Sequence, residues 1–182
     1  MKIVSTDIPD VKIIEPKIFK DLRGYFFESF NEKLFKEKVL DTTFIQDNEA
    51  KSTYGVLRGL HYQLPPYAQS KLVRVVKGEV LDIAVDIRKV SPTFKKWVAV
   101  ILNDENRKQL FVPKGFAHGY VVLSDEAIFA YKVDNIYAPD FERGINYNDR
   151  ELNINWQIET NKIILSEKDK LNKKLLEAEL FE

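Results

Sequence analysis

The sequence predicts a mainly β protein whose short strands stack as antiparallel layers, and three observations predict it. Between Thr43 and Lys132, runs rich in Val, Ile, Phe and Tyr recur at roughly 8 to 12 residue spacing with turn residues between them. Aromatic residues make up 12% of the chain, with 12 Phe and 8 Tyr, enough to fill a β core and still line a pocket with rings. Helical spacing of apolar residues is confined to a short segment around Leu34 and to the carboxy-terminal stretch from Ser166 to Leu180.

Lys2 to Val4 and Val11 to Ile14 read as short edge strands with a bend at Ile8-Pro9-Asp10, and Asp21-Leu22-Arg23-Gly24 reads as a turn. Tyr25 to Phe30 follows as an aromatic strand, with Phe26, Glu28 and Phe30 on one face. Asn31 caps a helix of about two turns reaching Val39. Strands are then expected at Phe44–Asp47, Gly55–Tyr62, Lys71–Lys77, Glu79–Asp86, Lys96–Leu102, Gln109–Val112, Gly119–Leu123 and Ala127–Val133. Lys77-Gly78-Glu79 suggests a tight hairpin between Leu72–Val76 and Val80–Val85, the most Val-rich pair. Gly144 to Tyr147 is a further extended segment, and Ser166 to about Leu180 reads as an amphipathic helix on Leu171, Leu175, Leu176 and Leu180. The length of 182 residues fits one domain, 1–182, with the first thirty residues or so as an arm. Antiparallel double sheets that hold a small molecule belong to the cupin-like, double-stranded β-helix (jelly-roll) barrels, which is the architecture expected here.

Lys+Arg 28 against Asp+Glu 28 gives no net charge, which argues against a partner held by bulk charge, whether nucleic acid or membrane surface. There is no cysteine, so disulfides, thiol nucleophiles and thiolate metal sites are excluded. No leader-like or membrane-spanning apolar run is present, and a cytoplasmic protein is the expectation.

The stretch Asn48 to Lys77 concentrates the chemistry. His61, one of two histidines, lies in Arg-Gly-Leu-His-Tyr-Gln, where simple alternation puts Arg58, Leu60 and Tyr62 on one face and Gly59, His61 and Gln63 on the other. On the next strand Lys71 shares a face with Val73 and Val75. A cupin metal site would need more: no acid lies between Gln63 and Lys71, and His118, in Pro-Lys-Gly-Phe-Ala-His, has no acid close to it in sequence. No metal is expected. What remains is acid–base chemistry by His, Lys, Tyr and carboxylates, as in proton transfer next to a ketone. Each of these residues also has a plain structural role open to it: Ser166 to Asp169, for example, reads as a helix cap with its third-position acid. Residue pattern alone leaves a β protein holding a small polar ligand, catalytic or not.

Gln46-Asp47-Asn48, Gly55 to Gln63, Gln69 to Arg74, Gly78-Glu79-Val80, Asp86-Ile87-Arg88, Ser91 to Phe94, Pro113 to Gly119 and Leu165 to Asp169 together resemble the dTDP-4-dehydrorhamnose 3,5-epimerases. The likeness begins at Ile8 and passes through Asp21 to Glu28, covering nearly the whole chain in order. The resemblance implies a cofactor-free homodimeric epimerase acting at C3 and C5 of a dTDP-4-keto-6-deoxy sugar. It implies His61 as base, Asp169 as the partner orienting it, Tyr131 as proton donor and Lys71 as the cation at the C4 oxygen. Arg58, His118 and Lys168 match contacts around sugar and diphosphate, and Arg23, Phe26, Glu28, Gln46, Asp47, Asn48, Tyr137 and Glu142 match the nucleotide end. In the family the amino-terminal arm contributes to the neighbouring subunit's site. Where many members read Asn-His-Ser, this chain has Asn48-Glu49-Ala50, which removes a histidine expected near the entrance.

Overall fold

The computed structural model describes all 182 residues. Its strands are β1 (Lys2–Ser5), β2 (Lys12–Glu15), β3 (Ile18–Asp21), β4 (Gly24–Phe27), β5 (Gln46–Thr53), β6 (Leu57–Gln63) and β7 (Lys71–Lys77). They continue as β8 (Glu79–Asp86), β9 (Trp97–Asn103), β10 (Gln109–Val112), β11 (Phe116–Val122), β12 (Glu126–Val133) and β13 (Glu142–Gly144). Two helices, α1 (Glu32–Lys38) and α2 (Glu167–Lys170), complete the regular structure. A six-stranded sheet, ordered β1-β2-β10-β7-β12-β5, faces a five-stranded one, ordered β13-β6-β11-β8-β9, in the cupin-like manner.

Period-two alternation explains the layers. On β7 the side chains of Val73 and Val75 turn inward to meet Phe129 of β12, Val80 and Ala84 of β8 and Tyr120 of β11 in one buried cluster. The opposite face of the five-stranded sheet carries Leu57, Leu60, Tyr62, Leu81, Ile83, Val85 and Val121, and the chain after Gly144 covers it with Ile145, Leu152, Trp156 and Leu175. On the far side of the six-stranded sheet, Asn31 caps α1 by accepting from the Leu34 amide. The helix then plugs Phe35 against Phe111, Ile14 and Leu72. Phe35 is the one buried residue of that helix, so Phe35→Ala would cost about 3–5 kcal/mol and free α1.

Four expectations are corrected. Lys77-Gly78-Glu79 does not close a hairpin: β7 pairs with β10 and β12, while β8 pairs with β11 and β9, so the turn carries the chain between sheets. Gly78 sits at φ +81°, and a Cβ there would lie 2.1 Å from the Glu126 carbonyl oxygen, so this corner requires glycine. The aromatic strand stops at Phe27, because it pairs with the unforeseen β3 in a two-stranded ribbon that leaves both sheets. The strand expected at Phe44–Asp47 is instead Gln46–Thr53, drawn forward by a full antiparallel ladder with β12. The long carboxy-terminal helix is absent: α2 holds four residues, and one further turn, Leu175–Glu177, is of 3-10 type. There the backbone bonds outward, with the Asn146 amide donating to the Lys173 carbonyl and the Leu175 amide to Asp149 Oδ2, so Leu171 and Leu176 stay exposed.

Candidate active site

The inner face narrows to a cavity of about 260 Å³ lined by His61, Lys71, Tyr131, Tyr137, Glu142 and, from β5, Gln46 and Asn48. Each arrives by strand geometry. Lys71 continues the inward row of Val73 and Val75, Tyr131 continues that of Phe129 on β12, and Gln46 and Asn48 alternate inward on β5. On β6 the simple alternation fails. His61 pairs with His118 and Arg58 with Tyr120, so three steps on β6 match two on β11. This bulge falls at Gly59, whose φ of +142° and close approach to Gly119 exclude a side chain. Leu60 and Tyr62 therefore face outward as expected, but Arg58 turns to the same side as His61.

His61 Nε2 lies 2.5 Å from Asp169 Oδ1, and its other ring nitrogen has no protein partner. Asp169 comes from α2, 108 residues away, and the helix-cap reading and the pairing both hold: Ser166 Oγ accepts from the Asp169 amide while the carboxylate reaches His61. Burial pushes the Asp169 carboxyl up, but the bond from His61, with Ser166 and Lys168, outweighs it and holds it below the usual range. An anionic carboxylate behind an imidazole fixes its tautomer and favours its protonated form. Lys71, on the neighbouring sheet, is pushed down to about 8 by burial, with Asp82 and Glu142 opposing the drop. Burial also pushes the Tyr131 phenol up; Arg58 pulls against this and Glu142 adds to it. At the mouth, Tyr137 donates to Glu142 Oε2 at 2.6 Å and Lys168 pairs with the same carboxylate. Burial would raise the Glu142 carboxyl, but these two partners keep it low.

Other expected residues are not gathered here. Arg23, Phe26 and Glu28 lie on or beside the β3–β4 ribbon, exposed, with Arg23 paired to Asp21 and Glu28 accepting from Asn31. Asp47 faces outward and bonds Lys132, because it alternates with Gln46 and Asn48. Glu49 shares that outer face, so its replacement of a histidine does not touch the cavity. His118 is buried and bonded through Nε2 to Asp82 at 2.9 Å. Asp82 went unnoticed in the sequence, although a lone acid at an inward position of the apolar run Val80 to Val85 was a signal that it had a partner. No three of the His, Asp and Glu side chains converge as a metal would require.

Two facing sheets with an oriented imidazole, an amine and a phenol around one small cavity define a cupin-like enzyme of acid–base chemistry. The family model described as dTDP-4-dehydrorhamnose 3,5-epimerase matches residues 5–177. The chain is 57% identical to the dTDP-4-dehydrorhamnose 3,5-epimerase of Shigella flexneri, over 100% of this chain and 99% of that protein. It superposes with a TM-score of 0.94 and 50% identity on the Legionella pneumophila dTDP-6-deoxy-D-glucose-3,5-epimerase solved with dTDP-4-keto-L-rhamnose, covering 98% of this chain and 94% of that one. A Streptomyces bikiniensis 3'-monoepimerase, solved with dTDP-quinovose, matches at 32% identity and TM-score 0.87, covering 94% and 87%. The chain belongs to the dTDP-4-dehydrorhamnose 3,5-epimerase family and is an isomerase.

Proposed function

We propose that the cavity removes and returns the protons at C3 and C5 of dTDP-4-dehydro-6-deoxy-glucose, each α to the C4 ketone, in dTDP-rhamnose biosynthesis. The observation that carries this reading is the His61 imidazole, pinned by Asp169 at 2.5 Å, in the same small cavity as Lys71 and Tyr131. His61 takes the proton from carbon, and the C–H electron pair passes into an enolate whose oxygen is held by the Lys71 ammonium. Tyr131 then gives its phenol proton to the opposite face of the carbon. Arg58 and Lys168 act at the sugar and diphosphate, and Gln46, Asn48, Tyr137 and Glu142 at the nucleotide; His118, enclosed against Asp82, and Asp47, facing outward, are not placed to touch the ligand.

The working unit in this reading is a cytoplasmic homodimer. The ribbon leaves Phe26 69% exposed and Tyr25 53% exposed, more apolar surface than a free hairpin needs. Its Arg23, Phe26 and Glu28 would reach the nucleotide end of the neighbouring subunit's cavity, where Phe26 and Tyr137 can enclose a thymine. No helix is long and apolar enough to cross a membrane.

Proton NMR of the chelator-treated protein with its substrate in deuterated water tests the reaction. Deuterium at both C3 and C5 is the expected result. Entry at one carbon alone would point to a single-site epimerase, and binding without any exchange would leave only a nucleotide-sugar binding protein.

A further inference from the structure

Around Phe129, whose ring centroid lies 6.2 Å from that of Tyr131, the inner face holds polar side chains that the reaction above leaves without a role. Ser52 on β5 and Tyr120 on β11 are both buried, 6% and 5% exposed. Arg58 stands directly opposite Tyr120 in the strand register, and its Nε donates to Ser52 Oγ at 3.1 Å. The acids of this face are already paired, Asp169 with His61, Asp82 with His118 and Glu142 with Lys168, so the guanidinium has no carboxylate of its own. The Tyr120 ring stacks on Phe129 with centroids 4.0 Å apart and planes 16° apart. Packing explains the ring but not the hydroxyl, which is buried without a hydrogen-bond partner. A phenylalanine would stack equally well and avoid stranding a polar group. Ser52, having accepted from Arg58, still has a proton to donate, and the Tyr120 oxygen is the buried acceptor beside it.

We propose that Ser52 and Tyr120 are positioning residues that hold the Arg58 guanidinium beside Tyr131, so that the phenolate left by proton delivery forms against a fixed cation. The inference rests on Tyr131 being the proton donor. In that step the Tyr131 O–H bond breaks, the proton joins the carbanionic carbon, and the electron pair stays on the phenolate oxygen until water returns a proton. A cation fixed in advance needs no reorganisation when the charge appears. Arg58 already opposes the upward push that burial exerts on Tyr131. The titratable and charged groups facing Tyr131 are Arg58 and His61 on β6, Lys71 on β7, Tyr120 on β11, Glu142 on β13 and Tyr137, with the His118–Asp82 pair on the neighbouring strands. Among them, the Arg58 guanidinium draws the phenol down.

The test compares Ser52→Ala, Ser52→Thr and Tyr120→Phe in the full-length protein. Steady-state kinetics are combined with deuterium entry at C3 and C5 and with thermal midpoints. Ser52→Ala should lower kcat about tenfold with KM nearly unchanged. Product formation should suffer more than deuterium entry, because the delivery step and not proton removal is slowed. Ser52→Thr, which keeps the hydroxyl, should recover most of the rate. Tyr120→Phe should lower kcat in the same manner by about threefold. A raised KM with kcat intact would overturn the inference in favour of ligand binding alone, and wild-type rates in both variants would dismiss it outright. A rate loss shared equally by product formation and deuterium entry, with no rescue by threonine, would mark a structural role and also overturn it. Full product formation by Tyr131→Phe would instead overturn the donor assignment underneath.

Discussion

The inner face carries the same chemical pair twice, and the two copies behave differently. His61 with Asp169 and His118 with Asp82 are both imidazole–carboxylate contacts, on histidines that stand directly opposite each other in the β6–β11 register. His61 keeps 27% of its side chain accessible, and its carboxylate is held low, in the anionic form. His118 keeps 7%, and its fully buried Asp82 is pushed up by burial, with His118 and Lys71 only partly offsetting this. The difference lies in which element supplies the acid. Asp169 enters on a helix start at the cavity edge, where Ser166 and Lys168 also stabilise its charge, whereas Asp82 sits mid-strand between β11 and β9, its side chain wholly buried. A histidine with a carboxylate becomes a base when one side opens to a ligand; enclosed, the same pair serves to hold two strands and a polar wall in place.

The strongest way to break this comparison is to disrupt each pair in turn. His61→Ala should reduce turnover at least 10²- to 10⁴-fold, since the general base is gone; turnover within tenfold of wild type would remove His61 from that role. Asp169→Asn should cost on the order of 10²-fold in kcat while the fold survives, because the tautomer is no longer fixed. Asp82→Ala should reverse the order of damage. Breaking the buried pair should cost about 3 kcal/mol and lower Tm by roughly 6–12 °C, with the rate per folded molecule affected less than by Asp169→Asn.

Acidity sharpens the contrast further. Asp169 has a folded pKa below its unfolded one, so its stabilisation is present above the ordinary value of 3.8 and is lost as the pH falls through the lower folded value. Denaturation curves of wild type and Asp169→Asn should therefore converge in acid. Asp82 runs the other way: its folded pKa is raised, so its ionised form costs stability at neutral pH and acidification relieves that cost. At the alkaline end, kcat/KM should fall as the pH passes about 8, where the Lys71 ammonium is lost, and Lys71→Arg should move that fall upward. The smallest effect is expected on the outer face. Glu49→His should change kcat/KM by less than about twofold, because the side chain lies outside the cavity.

Much of this was written locally. Alternation within β7 put Lys71 on one row with Val73 and Val75, which the structure turns inward, while Tyr131 was singled out by the family resemblance; the Asn31 and Ser166 caps were legible from residue type at a helix start. The ordered likeness from Ile8 to Asp169 gave the family and the reaction. What the chain could not state locally was who pairs with whom. Alternation assigns a face but not a partner strand, so Gly78 read as a hairpin where it turns a corner between sheets. One extra residue at Gly59 inverted the expected face of Arg58 and brought it to Ser52. A carboxylate 108 residues away reached His61 because the carboxy-terminal segment gave up its own helix for bonds to the chain after β13, and Asp82 found His118 only when β8 lay beside β11. Local sequence encodes periodicity, which each strand can satisfy alone, whereas register and long-range hydrogen bonds are decided by the packed whole.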